Sequence, residues 1–188
     1  MNTRLILATI FLIGGCAQLP PVEVPEPPKP QALAVVFDID GTLTPNVTSI
    51  AEARPDAAKA VHRYAEKGYK VIYLSTRLSF LQTGIPNWLK DNGFPASMLH
   101  VAQTDSDHKF PEIFKARIMK EYTARGWRLV GGYGDSSTDF EAYADAGIPK
   151  SRVFALLRRG DTACQPGQWQ GCLRGWTEHL NYIDSRLD

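Results

Sequence analysis

AVVFDIDGTLT, residues 34–44, decides how the rest of the chain is read. Ala34 to Phe37 form an apolar run that stops at two acids, Asp38 and Asp40, followed by Gly41, Thr42 and Thr44. A short, continuous apolar run bounded by turn residues has the pattern of a strand covered on both faces. Acids at the tip of such a strand are costly to bury without a partner. Their place therefore calls for a chemical reason.

Reading outward, apolar runs alternate with amphipathic segments. Residues 54–68 read as a helix, with Pro55 suited to its first turn and Gly68 to its stop. "KVIYLS" (70–75) is a second buried strand. Residues 78–92 are helical, interrupted by Pro86, and "SMLHV" (97–101) is a weaker third strand. "PEIFKARIMKEYTARG" (111–126) is a helix, "RLVGGYG" (128–134) a fourth strand, and residues 137–147 another helix. "RVFALL" (152–157) is the fifth strand, and a last helix covers 176–187. This alternation predicts an α/β fold: a three-layer, Rossmann-like parallel sheet of about five strands with helices on both faces. About 27 residues separate Thr42 from Lys70, room for one helix and its loops. Residues 77–110 hold a helix, a strand and loops, so no large cap domain is expected.

In such sheets ligands bind beyond the carboxyl ends of the strands. Three polar clusters fall there: Asp38 and Asp40 after strand one, Ser75 to Arg77 after strand two, Asp135 and Asp139 after strand four. Four carboxylates at one rim repel one another unless a cation joins them, and oxygen-rich sites favour Mg²⁺. A cation in turn invites a phosphate. Asp38 could then attack phosphorus, Asp40 could serve as acid and base, and Gly41 permits the turn between them. A Ser75 hydroxyl and a lysine would hold the transferring oxygens. Ser75 competes with Thr76 for that role, and Lys115 with Lys109. Arg77 suits either a substrate phosphate or an ion pair. Asp135 could also cap the following helix, and Asp139 could face its dipole. His62, His100, His108 and His179 form no ligand pair, and the four tryptophans read as core residues.

"DIDGT", the strand-ending Ser75, a helical lysine and "GDSSTD", in that order, resemble the four motifs of the haloacid dehalogenase-like hydrolases over roughly residues 33–160. "YLSTR", "PEIFKARIM" and "GYGDSSTDFEAYADAGIPKSRVF" resemble, more narrowly, the catalytic domain of the lipins, Mg²⁺-dependent phosphatidate phosphatases. The resemblance implies Asp38 as nucleophile, Asp40 as acid/base, and Ser75 and Lys115 as phosphate-binding groups. It implies Asp38, Asp40, Asp135 and Asp139 as the metal site. Asp135 stands where lipins have asparagine. The substrate class implied is a phosphoester, a lipid phosphate such as phosphatidate. Two alternatives remain open. One is a secreted acid phosphatase acting on nucleotides or small phosphoesters; the other is a non-catalytic envelope lipoprotein that binds a partner.

The chain has 188 residues and a formal charge of +1, with 44% apolar and 22% charged residues. A balanced charge argues against a nucleic-acid partner held by counterion release. Arg4 precedes the nine-residue apolar run Leu5 to Ile13, too short to span a bilayer but suited to a secretory signal. "IGGC" (13–16) resembles the lipobox of bacterial lipoproteins. It implies a signal over residues 1–15, a lipidated Cys16 and a membrane partner through that anchor. It also implies a cell-envelope location at the periplasmic face of the outer membrane. Residues 17–32 carry six prolines in sixteen positions, so 16–32 is expected to be an extended tether reaching roughly 50 Å. The domain proper is then 33–188. Cys164 and Cys172 flank a turn-rich loop and are a candidate disulfide in an oxidising compartment.

Overall fold

The computed structural model describes residues 18–186; the signal and Cys16 lie outside the described residues. Six parallel strands form one sheet in the order β3-β2-β1-β4-β5-β6. They are β1 (Leu33–Asp38), β2 (Lys70–Ser75), β3 (Met98–Val101), β4 (Arg128–Gly134), β5 (Val153–Leu156) and β6 (Gly171–Leu173). The helices are α1 (Ala57–Glu66), α2 (Ser79–Gln82), α3 (Ile85–Asp91), α4 (Asp105–Lys109), α5 (Pro111–Ala124), α6 (Ser137–Asp145) and α7 (Leu180–Arg186). No large cap domain is inserted among the described residues.

β1 lies between β2 and β4, and its pleat feeds both cores. Val35 and Phe37 pack with Val61 and Tyr64 of α1, Trp88 of α3 and Ile183 of α7. Ala34 and Val36 pack on the other face with Phe114 and Met119 of α5 and Phe140 of α6. Successive side chains of a strand point to opposite faces, so a strand covered twice must be apolar throughout. The chain leaves β1 toward β2 but returns from β3 to pair β4 on β1's far side. This reversal opens a crevice at the carboxyl ends of β1 and β4.

Several expectations are corrected. The sheet has six strands, one beyond the five apolar runs picked out in the sequence; β6 is three residues long and its residues form no apolar run. α4 was absent from the sequence reading, although Thr104 and Asp107 form its capping box. Pro55 precedes α1 instead of entering its first turn, because Asp56 turns the chain in the left-handed region at φ 58°. The last helix begins only at Leu180, after a 3-10 turn over Thr177–His179.

From Gln18 onward the proline-rich stretch is not a free tether but lies against the domain. Val24 and Ala32 are buried in the core beneath α5. The Trp127 indole donates to the Pro25 carbonyl at 2.7 Å, and Gln18 Nε2 donates to the Gln103 carbonyl at 2.9 Å. Prolines hold the backbone extended at little further entropic cost, and the interleaved Leu19 and Val24 supply apolar contact. The segment is a strap on the domain.

The structure joins Cys164 to Cys172 with Cα atoms 5.8 Å apart, fastening the loop before β6 to that edge strand. Closing so short a loop is worth about 2–3 kcal/mol through the unfolded chain. Reduction, or Cys164→Ser with Cys172→Ser, is expected to lower the denaturation free energy by that amount; an unchanged urea midpoint would contradict it.

Two histidines are core residues. His100 Nε2 meets the Tyr122 hydroxyl at 2.9 Å and His179 Nε2 meets the Tyr133 hydroxyl at 3.0 Å. Burial pushes both imidazoles down to about 4. The unfolded chain therefore binds protons near pH 6.5 that the folded protein refuses until about 4. Stability is full above pH 6.5 and falls as pH drops through that window, by at most about 3 kcal/mol per histidine. His100→Gln should flatten the pH dependence of the thermal midpoint between pH 6.5 and 4; a parallel curve would refute this.

Candidate active site

The turn after β1 is built around Ile39. Its side chain is buried, and its carbonyl accepts the amides of Leu43 at 2.9 Å and Thr44 at 3.0 Å. Thr44 Oγ1 accepts from the Gly41 amide at 2.8 Å. The Arg54 guanidinium, buried, donates to the carbonyls of Gly41 (2.7 Å), Thr44 (2.9 Å), Pro45 (3.1 Å) and Leu157 (2.8 Å). Arg54 thereby clamps the loop to the end of β5. Nothing in the sequence pointed to it, since its partners are carbonyls that only the fold assembles.

The loop presents Asp38 and Asp40 in different directions. Asp38 is buried, and its Oδ1 accepts from Lys115 Nζ of α5 at 2.6 Å. The same ammonium donates to Asp139 Oδ1 at 2.5 Å. Lys109, the competing lysine, lies on the surface with its ammonium 5.2 Å from the Phe110 ring centroid. Asp139 Oδ2 accepts from the amides of Asp135 and Ser136, both at 3.1 Å, and from Ser136 Oγ at 2.9 Å. Ser136, not Asp135, is the N-cap of α6, and Asp139 completes its capping box. Both Asp139 oxygens are thus engaged, in a helix cap and in holding Lys115.

Asp40 lines the same cleft but is paired with other groups. Ser75 Oγ donates to its Oδ2 at 2.8 Å, and Arg77 donates to its Oδ1 from Nη2 at 2.6 Å and Nε at 3.1 Å. Ser75 Oγ also accepts the Arg77 amide at 3.0 Å. Of the two roles open to Arg77, the structure displays the ion pair. Ser75 reaches the site through Asp40. Asp135, at the end of β4, is paired through Oδ2 with Arg158, which follows β5 and which the sequence reading missed.

Of the four acids expected at a metal site, three cluster through their carboxylates and Asp40 lines the same cleft beside them. Carboxylate oxygens of Asp38, Asp135 and Asp139 lie within 4.8 Å of one another, and the Asp40 carboxylate is turned to Arg77. The chemistry of the donors fits a hard divalent cation. Asp38 Oδ2 is buried with no hydrogen-bond partner, an unmet acceptor among acids. Burial pushes the Asp38 carboxyl well above the usual carboxylate range, Asp139 adds to the rise, and Lys115 opposes it. Asp135 is pushed up to about 6 by burial and by Asp139, against the pull of Arg158. Burial disfavours the Lys115 ammonium, but Asp139 and Asp38 outweigh it and raise its pKa.

Two glycines make room for the acids. Gly41 sits at φ +94°, and a Cβ there would lie 1.9 Å from Asp135 Oδ2. A Cβ on Gly134 would meet Asp139 Cβ at 2.6 Å. Gly41→Ala is expected to cost about 1–3 kcal/mol of stability and to displace the Asp135 carboxylate; wild-type Mg²⁺ affinity by calorimetry would contradict that displacement.

Asp38, Asp40, Arg77, Lys115, Asp135 and Arg158 line an open cleft of about 310 Å³ at the crevice between β1 and β4. The doubly wound parallel sheet carries this cluster of acids at its carboxyl edge with a lysine of α5 beside it, the arrangement expected from the motifs that resemble the haloacid dehalogenase-like hydrolases. The chain belongs to the LNS2 domain family: the family model described as "PITM 1-3, LNS2 domain" matches residues 35–157. Membrane-associated phosphatidylinositol transfer protein 3 of Mus musculus is 26% identical over 156 residues, covering 80% of this chain and 15% of that protein. Phosphatidate phosphatase LPIN3 of Homo sapiens is 26% identical over 153 residues, covering 68% of this chain and 18% of that protein. The chain thus spans less than a fifth of the length of either relative. Among solved structures, a chain of the Pnkp1/Rnl/Hen1 complex superposes with a TM-score of 0.56 at 20% identity, covering 73% of this chain and 50% of that one. D,D-heptose 1,7-bisphosphate phosphatase from Burkholderia thailandensis superposes at 0.50 with 16% identity, covering 82% of this chain and 99% of that one. These structural likenesses bear on the fold alone.

Proposed function

We propose that this domain is a Mg²⁺-dependent phosphomonoesterase acting through a phosphoryl-Asp38 intermediate, with a lipid phosphate such as phosphatidate as substrate. The observation that carries the reading is the buried, unpartnered Asp38 Oδ2 beside Lys115 in an open cleft. Asp38 and Asp135 would hold the cation, which supplies charge neutralisation for the phosphoryl oxygens. Lys115, held by Asp139, orients Asp38 and adds positive charge where the transferring group sits. The Asp38 carboxylate forms a bond to phosphorus as the bond from phosphorus to the leaving alcohol oxygen breaks, and Asp40 gives that oxygen a proton. Water then attacks phosphorus, Asp40 takes back a proton, and the Asp38 acyl-phosphate bond opens to release inorganic phosphate. An incoming phosphate competes with Asp40 for Arg77, and release of that pair leaves Asp40 able to carry a proton.

A second reading has one observation in its favour. Lys115 is paired with one oxygen of Asp38 and with Asp139, and Arg77 is paired with Asp40, so the cations of the cleft are already in place to meet a phosphate headgroup held without turnover. The relatives named as transfer proteins fit that reading. Phosphate release from phosphatidate in mixed micelles, nucleoside monophosphates and an aryl phosphate, each with Mg²⁺ and with chelator, tests both. Mg²⁺-dependent release supports the enzyme, and the best substrate separates lipid phosphates from the small phosphoesters of acid phosphatases. Saturable phosphatidate binding with no release of phosphate supports the second reading. The anchor is a separate proposal: Cys16→Ser should shift the protein from the membrane fraction to the soluble fraction of its host, and a variant that still sediments refutes it.

A further inference from the structure

We infer that a second pocket beside the cleft is an anion subsite, which takes the second phosphate of a phosphoester whose first phosphate sits at Asp38. This rests on the phosphoester reading and deepens it: among phosphoesters, one bearing two phosphate groups gains a further set of contacts. The pocket measures about 460 Å³. Its walls are residues 157–161 after β5, residues 174–177 after β6, and Pro45, Arg54 and Pro55 between β1 and α1. These segments adjoin the carboxyl ends of their strands, so the pocket lies at the same edge of the sheet as the cleft. Four arginines line it, Arg54, Arg158, Arg159 and Arg174, against one acid, Asp161. Arg158 also lines the cleft with Asp38 and Lys115, so it is common to both spaces.

The four arginines are held in different ways. Arg158 is paired with Asp135, and Arg159 Nη1 donates to Glu52 Oε2 at 2.9 Å on the surface. Arg54 is buried, and its four acceptors are all carbonyls, so no carboxylate is bonded to it. Burial lowers the pKa of its guanidinium, Asp135 opposes the fall, and Arg159 adds to it. The Arg174 amide donates to Glu178 Oε1 at 2.6 Å. Its guanidinium is exposed and forms no ion pair among the described residues. Two of the four cations therefore have no carboxylate bonded to them. Like charges gathered in a concave space repel one another and draw in an anion. A terminal phosphate carries up to two charges and three acceptor oxygens, and the planar fork of a guanidinium matches a pair of them. Within the cleft, Arg77 stands with Asp40 on the β2 side and Arg158 on the β5 side. A phosphate beyond Arg158 meets Arg159 and Arg174 while the first phosphate stays beside Lys115.

The test is calorimetric titration, with Mg²⁺, of the full chain carrying Cys16→Ser and Asp38→Asn, so that no ligand is consumed and no acyl anchor contributes. The probes are fructose bisphosphate against fructose monophosphate, and a short-chain phosphatidylinositol bisphosphate against the matching monophosphate. The first pair represents soluble phosphoesters and the second lipid headgroups. We expect the bisphosphate of at least one pair to bind at least tenfold more tightly than its monophosphate. Adding Arg159→Ser and Arg174→Ser should abolish that preference and leave monophosphate binding at the parent's level. Both sites are exposed, and a thermal melt verifies that the fold is kept. Lys29→Ser with Arg128→Ser removes the same charge from the opposite edge of the sheet and should leave the preference intact. Equal affinity within both pairs, or no binding of any probe, overturns the subsite, and so does an equal loss in the Lys29 and Arg128 control. Phosphate release from an aryl phosphate is assayed separately with Asp38 in place. Release without a bisphosphate preference keeps the phosphatase and drops the subsite. A preference that the arginine variant loses, with no release from any substrate, keeps the subsite and drops the phosphatase.

Discussion

Asp38→Asn is expected to abolish the proposed phosphate release, by about 10⁴-fold or more, and to leave the fold at least as stable as the parent at neutral pH. The two halves share one cause. Asp38 is buried, its carboxyl is pushed well above the usual range by desolvation and then by Asp139, and its Oδ2 has no partner. A carboxyl whose folded pKa is raised favours folding when protonated, so its ionised form opposes folding above that range. Asparagine has the same shape without the charge. It still offers an oxygen to Lys115, which remains paired with Asp139. What it cannot do is attack phosphorus. Stability–function opposition is common where a site is assembled from groups the fold would rather not bury. The check pairs a steady-state assay with a chelator-containing thermal melt. A variant that retains turnover sinks the nucleophile assignment, and one that melts far below the parent sinks the electrostatic account.

Lys115→Met is expected to remove both activity and much of the stability. The lysine is 3% exposed and holds Asp38 at 2.6 Å and Asp139 at 2.5 Å. Removing one partner from a buried charge set leaves the others uncompensated, at about 3–5 kcal/mol. For a domain of this size that lowers the melting temperature on the order of 10 °C. The conservative Lys115→Arg does not restore the parent, because a planar guanidinium cannot reproduce a point donor shared between two carboxylates. Adding Asp38→Asn to Lys115→Met should recover part of the lost stability, since it deletes one of the stranded charges. Strict additivity of the two changes would contradict a shared cluster.

The parallel sheet was legible because strands covered on both faces must be apolar throughout, and β1, β2 and β5 are short unbroken runs. The position of the site was legible for a related reason: Asp38, Ser75 and Asp135 each stand at the end of such a run, so a parallel sheet carries them to one edge. β6 was not legible. It is three residues long, and its pairing with β5 is delivered by the Cys164–Cys172 loop, with no help from local propensity. Nor was Arg54, whose carbonyl partners come from residues 41, 44, 45 and 157.

By itself, then, the sequence determined the sheet class and the acids at its carboxyl edge, because period and turn chemistry act over a few residues, while Ser75 and Lys115 were singled out by the family resemblance. The tertiary structure alone decided how those groups pair. It gave Lys115 to Asp38 and Asp139, gave Asp40 to Ser75 and Arg77, and gave Asp135 to Arg158. It also laid the proline-rich strap along the domain where composition had suggested a free spacer. Each of these depends on which side chains from distant segments arrive within hydrogen-bond reach, a matter of packing that no local pattern encodes.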